Sequence, residues 1–203
     1  MAFFHGIKVT EKQTQIVAPV QVDSAGQGVV VGLAPVNMGN LADPLAPQIA
    51  YSYDEAVQKM GMSADHLTYT ICESIKLSFA NYNVSPLIMI NVLDPSKHKE
   101  QKTSVSVSML EGKAALPEEG VLLSSVQLTQ TEEALTVGED YLLSFEDGKA
   151  VIERIEGGKI ASDTASLTAT YDVLDPTAVE DADILAGVAK VREIYPRFGI
   201  VPG

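Results

Sequence analysis

The chain opens with β-forming residues in an extended pattern. Ile7 and Val9, then Ile16, Val17, Val20 and Val22, fall within residues 1–22, and Pro19 interrupts them. Val29-Val30-Val31-Gly32-Leu33-Ala34 and Leu87-Ile88-Met89-Ile90-Asn91-Val92-Leu93 are nearly continuous apolar runs. Each predicts a strand covered on both faces. Pro35 to Pro47 carries the Pro, Gly and Asn of a loop. Ser52-Tyr53-Asp54-Glu55 has the spacing of a capping box and predicts a short helix to about Met60, with Gly61 as its stop. Ser63 then caps a second helix over about 64–82, with Leu67, Ile71, Ile75, Phe79 and Tyr82 on one stripe. Residues 16–93 thus read strand, strand, helix, helix, strand, an α/β half-domain with one crossover.

The pattern changes after the polar stretch Lys97–Lys102. Val105, Val107 and Met109 alternate with serines, and Leu167, Ala169, Tyr171 and Val173 alternate again. Val121-Leu122-Leu123 and Val126-Gln127-Leu128 read as further strands. Tyr141–Glu146 and Lys149–Arg154 flank Asp147-Gly148, the signature of a hairpin with a two-residue type I′ turn, in which Glu146 and Lys149 would pair. Gly157-Gly158 makes another turn. After Asp175-Pro176, Asp181 or Asp183 caps a last helix with Ile184, Val188, Val191 and Tyr195 on one face, stopped by Pro196.

The fold expected is mixed α+β. An incomplete α/β core (strand, two helices, strand) carries an inserted or appended small all-β domain, sandwich- or barrel-like. Its parts are an extended N-terminal arm, 1–22; the first part of the α/β core, 23–96; an acidic all-β domain, 103–174; and a return helix with the start of the core's C-terminal part, 175–203. The closing Phe198-Gly199-Ile200-Val201-Pro202-Gly203 resembles the start of a buried strand, so the polypeptide is expected to have continued.

Composition narrows the classes of function. At 46% hydrophobic residues the chain is globular rather than disordered. The net charge of −13 is unevenly placed: residues 111–183 hold 17 acids against 4 bases, while 1–110 and 184–203 are near neutral. An acidic excess disfavours nucleic acid as a partner and suggests a solvated, self-repelling surface. Near-neutral flanks are free to pack against copies of the same chain. No apolar run reaches the ~18 residues of a membrane span, so no membrane insertion is expected. The start lacks the apolar stretch of a secretory signal. The single cysteine, Cys72, permits no internal disulfide and favours a reducing compartment during folding.

Candidate chemistry is sparse. Gly26-Gln27-Gly28 precedes its strand, whereas a phosphate loop follows one, so it reads as a turn. His5, His66 and His98 are far apart and lack nucleophile or metal context; they read as an arm, a helix-start and a loop residue. Cys72, mid-helix among apolar residues, reads as packing. Glu180-Asp181-Ala182-Asp183 offers paired carboxylates for calcium or hydrolysis, yet suits a helix N-terminus better. Glu118-Glu119 and Glu132-Glu133 read as solvated loop charges. No catalytic residue, cofactor or metal site is expected.

Three stretches, in order, carry a resemblance. The first is Phe4-His5-Gly6-Ile7-Lys8-Val9-Thr10-Glu11, followed later by Val29–Pro35. The second comprises Gly138-Glu139-Asp140-Tyr141, Phe145-Glu146-Asp147-Gly148 and Ala169-Thr170-Tyr171-Asp172. The third is Asp183-Ile184-Leu185-Ala186-Gly187 with Phe198–Gly203. Together they make the chain resemble the N-terminal portion of the tail sheath proteins of contractile phage tails and related injection devices. Sheath subunits are usually much longer, so the resemblance implies a fragment or truncated subunit. It also implies a non-enzymatic structural protein of a virion tail or phage-tail-like particle, assembled in the bacterial host cytoplasm. Such a protein forms a helical tube of its own copies around an inner tail tube protein, bounded by baseplate and terminator proteins. Contraction drives the inner tube through a cell envelope. Phe3, Phe4, Ile7 and Val9 would then form a self-assembly arm, adding a strand to a neighbour's sheet. The alternatives are a β-domain binding module, adhesin-like or receptor-contacting, and more distantly a carboxylate-based hydrolase using Asp181 or Asp183.

Overall fold

A computed structural model describes residues 28–160 and 162–198, the side chains of 193 and 195–198 excepted. The fold is mixed α+β, as expected. Strands β1 (Gly28–Gly32), β2 (Gln48–Ala50) and β3 (Leu87–Asn91) form a sheet in the order β1-β3-β2. β1 runs parallel to β3, with Val30 opposite Met89, and β2 runs antiparallel to it. Helices α1 (Tyr53–Met60) and α2 (Thr70–Ile75) bury Met60, Ile71, Cys72 and Ile75 against Leu87 and Met89. The opposite face, Ile88 and Ile90 with Val29 and Val31, is covered by Val191 and Ile194 of α3 (Asp181–Phe198). Successive side chains of a strand point to opposite faces, and here both faces are covered, so every residue of β3 is buried. Burial of each large aliphatic side chain contributes roughly 1.5–3 kcal/mol.

The remaining strands build two further sheets. One has the order β4-β10-β6-β7, from β4 (Lys99–Ser108), β6 (Gln127–Gln130), β7 (Glu133–Ala134) and β10 (Ser166–Leu174). The other has the order β5-β9-β8, from β5 (Lys113–Glu119), β8 (Tyr141–Glu146) and β9 (Lys149–Arg154). The alternating residues Val107, Leu167, Ala169 and Tyr171 meet Leu116, Tyr141 and Ile152 in one core between them. β4 and β10 pair antiparallel, Lys99 opposite Leu174, so the chain enters and leaves these sheets side by side.

Local signals hold where the turn or cap chemistry is unambiguous. The Ser52 hydroxyl accepts the Glu55 N–H, and Glu55 reaches back to the Tyr51 N–H. Asp147 and Gly148 have φ of 50° and 80°, the pair of positive values a type I′ turn requires and glycine adopts without strain.

Several expectations are corrected. Residues 64–69 are turns rather than helix: the Ser63 hydroxyl accepts the Asp65 N–H and the Asp65 carboxylate accepts the Thr68 N–H. These side chains compete with helical backbone bonds, and Leu67 and Tyr82 end up exposed. The helix that follows loosens to a π-helix over Lys76–Asn81. Val121 makes one bridge to Val173, after which Leu123–Ser125 is a 3-10 turn, not a strand. Glu146 lies opposite Lys149 in register, but its carboxylate bonds Lys113 Nζ at 2.9 Å instead. Pro196 does not stop α3, which runs past it to Phe198, the last described residue. The face α3 buries is also rotated from the expected stripe: Gly187, Val191 and Ile194 face the sheet, while Ile184 and Val188 are exposed.

Candidate functional site: an assembly surface

Exposed large apolar side chains concentrate on the α/β part, which also presents two sheet edges, β1 and β2, among the described strands. β1 is an edge strand, paired with β3 alone among the described strands. Edge strands present free backbone donors and acceptors to another chain. Beside this sheet, α3 turns Ile184, Leu185 and Val188 outward, with Leu185 68% exposed. Gly187 explains that orientation: the helix seats on the sheet through the residue without a side chain, which leaves the bulkier neighbours on the far side. A second exposed group, Tyr51, Tyr82 and Val84, lies where the Ser85 hydroxyl donates to the Tyr51 carbonyl. That is the end at which Gly28 and Ala50 flank Leu87. Tyrosines in such positions are common anchors of protein interfaces. The arm residues Phe3, Phe4, Ile7 and Val9, and His5, lie outside the described residues.

The strands of 99–174 present a different surface. Their acids are mostly solvated, and the bases answer only part of them: Lys113 to Glu146 and Glu153, Lys159 to Glu133, Arg154 to Asp163. Exposed pairs of this kind contribute little to stability. The net effect is a repulsive skin that resists side-by-side association.

A cleft of about 540 Å³ separates the two regions, lined by Met38, Tyr53, Met62, His66, Tyr69 and Glu119 among others. His66 is half-buried there. The Tyr69 hydroxyl is pushed up to about 12, by burial first and then by the charge of Glu119. Burial likewise raises the Tyr171 hydroxyl, which donates to the Glu118 carboxylate. Burial raises the Cys72 thiol as well, which disfavours the reactive thiolate. Both tyrosines hold their protons more tightly folded than unfolded, so their contribution to stability is constant below about pH 10 and falls as pH rises towards about 12. Urea midpoints should drop between about pH 9 and about pH 11.5, and Tyr69→Phe should lessen the drop. A midpoint that stays level would contradict these assignments.

The acidic run before α3 serves the helix start. The Asp183 carboxylate accepts the Glu180 N–H at 3.0 Å. Among the described residues no group of three or more His, Cys, Asp or Glu is placed to hold a metal ion. Nor, among them, is any helix long and apolar enough to cross a membrane.

No family model and no solved structure matches the chain. The tail sheath protein of Burkholderia phage BcepMu is 29% identical over 188 residues, 92% of this chain and 37% of that protein. The chain is a relative of a phage tail sheath protein. The resemblance carried by its ordered motifs is therefore borne out, and the chain spans little more than a third of the length of the curated protein it matches. Two buried polar residues of this chain, Asn91 and His98, were not singled out in the sequence as organising groups. The one available signal for Asn91 was a polar residue inside an apolar run; His98 offered none.

Proposed function

We propose that the chain is part of a structural subunit of a contractile tail sheath, without enzymatic activity. It polymerises into a helical tube around an inner tail tube, between baseplate and terminator proteins, and contracts to drive the inner tube through a cell envelope. The observation that carries the reading is likeness to a tail sheath protein along 92% of the chain. The β1 edge, unpaired among the described strands, and the outward apolar side of α3 support it, because helical growth needs head-to-tail contacts that do not close. In this reading Phe3, Phe4, Ile7 and Val9 lie in an arm that adds a strand to a neighbouring copy, keeping subunits linked while their bodies shift as rigid units.

The test compares this chain with a chimaera carrying the remainder of the BcepMu sheath protein, each with and without residues 1–12, by electron microscopy. Tubes or rings are expected from the chimaera and none from its deletion variant, whose circular dichroism and melting stay unchanged. Normal tubes after the deletion would sink the arm. Dispersed particles from every version would sink the sheath reading.

A further inference from the structure

The β1-β3-β2 sheet has a cleft beside the layer on one of its faces and an exposed helix side over the other. The cleft belongs to the face covered by α1 and α2: Tyr53 of α1 and Lys76, which follows α2, both line it. α3 covers the opposite face through Val191 and Ile194. The outward side of α3 is Ile184, Leu185, Val188, Ala189 and Arg192, all exposed and spaced as a single helical stripe.

The two features match in chemistry. The cleft, about 540 Å³, has an apolar part made by Met38, Met62, Tyr53 and Tyr69. Methionines adapt to irregular partners, and tyrosines anchor them. Its charged part is acidic: Asp65, Glu119 and Asp147 line it against the single cation Lys76 and the imidazole of His66. None of these three carboxylates makes an ion pair among the described residues, whereas Glu133, Glu146, Glu153 and Asp163 do. Glu119 stands close to the apolar part, since its charge reaches the Tyr69 hydroxyl. The stripe on α3 has the complementary order, aliphatic residues followed by the exposed Arg192, which also makes no ion pair among the described residues. The same contrast runs along the chain: residues 111–183 hold 17 acids and 4 bases, and residues 184–203 hold 1 acid and 3 bases.

We infer that the outward side of α3 in one copy docks into this cleft in a second copy, with Ile184, Leu185 and Val188 against the methionines and tyrosines and Arg192 against Glu119. The two halves of the contact lie on opposite faces of one sheet. Each copy therefore offers both halves at once, and contacts propagate head to tail instead of closing. The inference rests on the reading of the chain as a self-assembling subunit, and it names a contact of the folded body, separate from the arm.

Analytical ultracentrifugation of the full chain over rising concentration tests it. The unmodified chain should form an open series of oligomers. Leu185→Glu, Glu119→Arg and Arg192→Glu should each weaken association by about tenfold or more, because each sets an unpaired or like charge into the contact, while melting stays unchanged. Combining Glu119→Arg with Arg192→Glu should restore association. Undiminished association in Leu185→Glu or Arg192→Glu, no rescue in the double variant, or monomers at every concentration would overturn the contact. So would a discrete dimer, which would set α3 against α3. Loss of association on deleting residues 1–12, with Arg192→Glu unaffected, would put the arm in the cleft and overturn it as well. The chimaera with the remainder of the BcepMu protein separates this failure from that of the sheath reading. Normal tubes from its Leu185→Glu variant would overturn this contact alone, whereas the sheath reading falls only if the parent chimaera forms none.

Discussion

Replacing Asn91 with alanine lowers the unfolding free energy by about 4 kcal/mol, read from urea titrations. Asn91 closes β3 and is 1% exposed. Its Oδ1 accepts the N–H groups of Ala34 and Leu93, each at 3.1 Å. Its Nδ2 donates to the Leu93 carbonyl at 2.8 Å and to the Pro44 carbonyl at 3.4 Å. One side chain thus stands in for backbone partners in three segments that the sheet leaves unpaired. Alanine deletes all four bonds at once and strands donors and acceptors in a largely buried region. Each orphaned group costs about 1–3 kcal/mol, and partial water entry keeps the sum below the simple total. Leucine should do no better, since it restores volume but no bond. Aspartate should also fail, because its second oxygen would face the Leu93 and Pro44 carbonyls and its charge would be buried. Against a typical total of about 5–15 kcal/mol, such a loss leaves the chain partly unfolded at 37 °C. A change below about 1 kcal/mol for alanine would show that these bonds are replaced by others.

Elements whose chemistry is local were legible in the sequence. The hairpin at Asp147-Gly148 and the capped helix α1 follow from residues within a turn of one another, and β3 follows from an apolar run no helix of that length would need. The strands β2, β5 and β7 were missed for physical reasons. β2 and β7 are three and two residues long. β5 contains Pro117, and its ladder to β9 shifts between Ala115 and Glu119, where a proline can be housed. The expected helix over 64–82 failed because a stripe at helical spacing says nothing about competing side-chain bonds from Ser63 and Asp65. Of the candidate assembly surface, the sequence disclosed the apolar residues of α3 but not which of them would be covered. That choice depends on a helix-to-sheet contact between distant parts of the chain. Asn91 and His98 were opaque for the same reason: their partners, Ala34 and Asp183, come near only after folding.

Gly187→Leu should lower stability by about 3 kcal/mol and detach α3 from the sheet. A Cβ built on Gly187 runs into Val92 Cγ1 and comes within 2.9 Å of Val31 Cγ1. Both valines are β-branched and packed, so neither swings aside cheaply. Helix propensity alone argues the other way, since a mid-helix glycine costs about 1 kcal/mol relative to alanine. For alanine the two effects nearly offset, overpacking by one carbon costing about 1–3 kcal/mol, and a small net loss is expected. Leucine adds a side chain with nowhere to go, so α3 must lift and Val191 and Ile194 lose their cover over Ile88 and Ile90. Hydrogen exchange should then show α3 amides opening while those of β8 and β9 stay closed. Leu185→Glu, on the outward side of the same helix, should change stability by no more than about 0.5 kcal/mol. The pair of variants separates the face that holds the fold from the exposed outward face. Were Gly187→Leu as stable as the parent, the seating of α3 through its glycine would be wrong, and the outward placement of Leu185 with it.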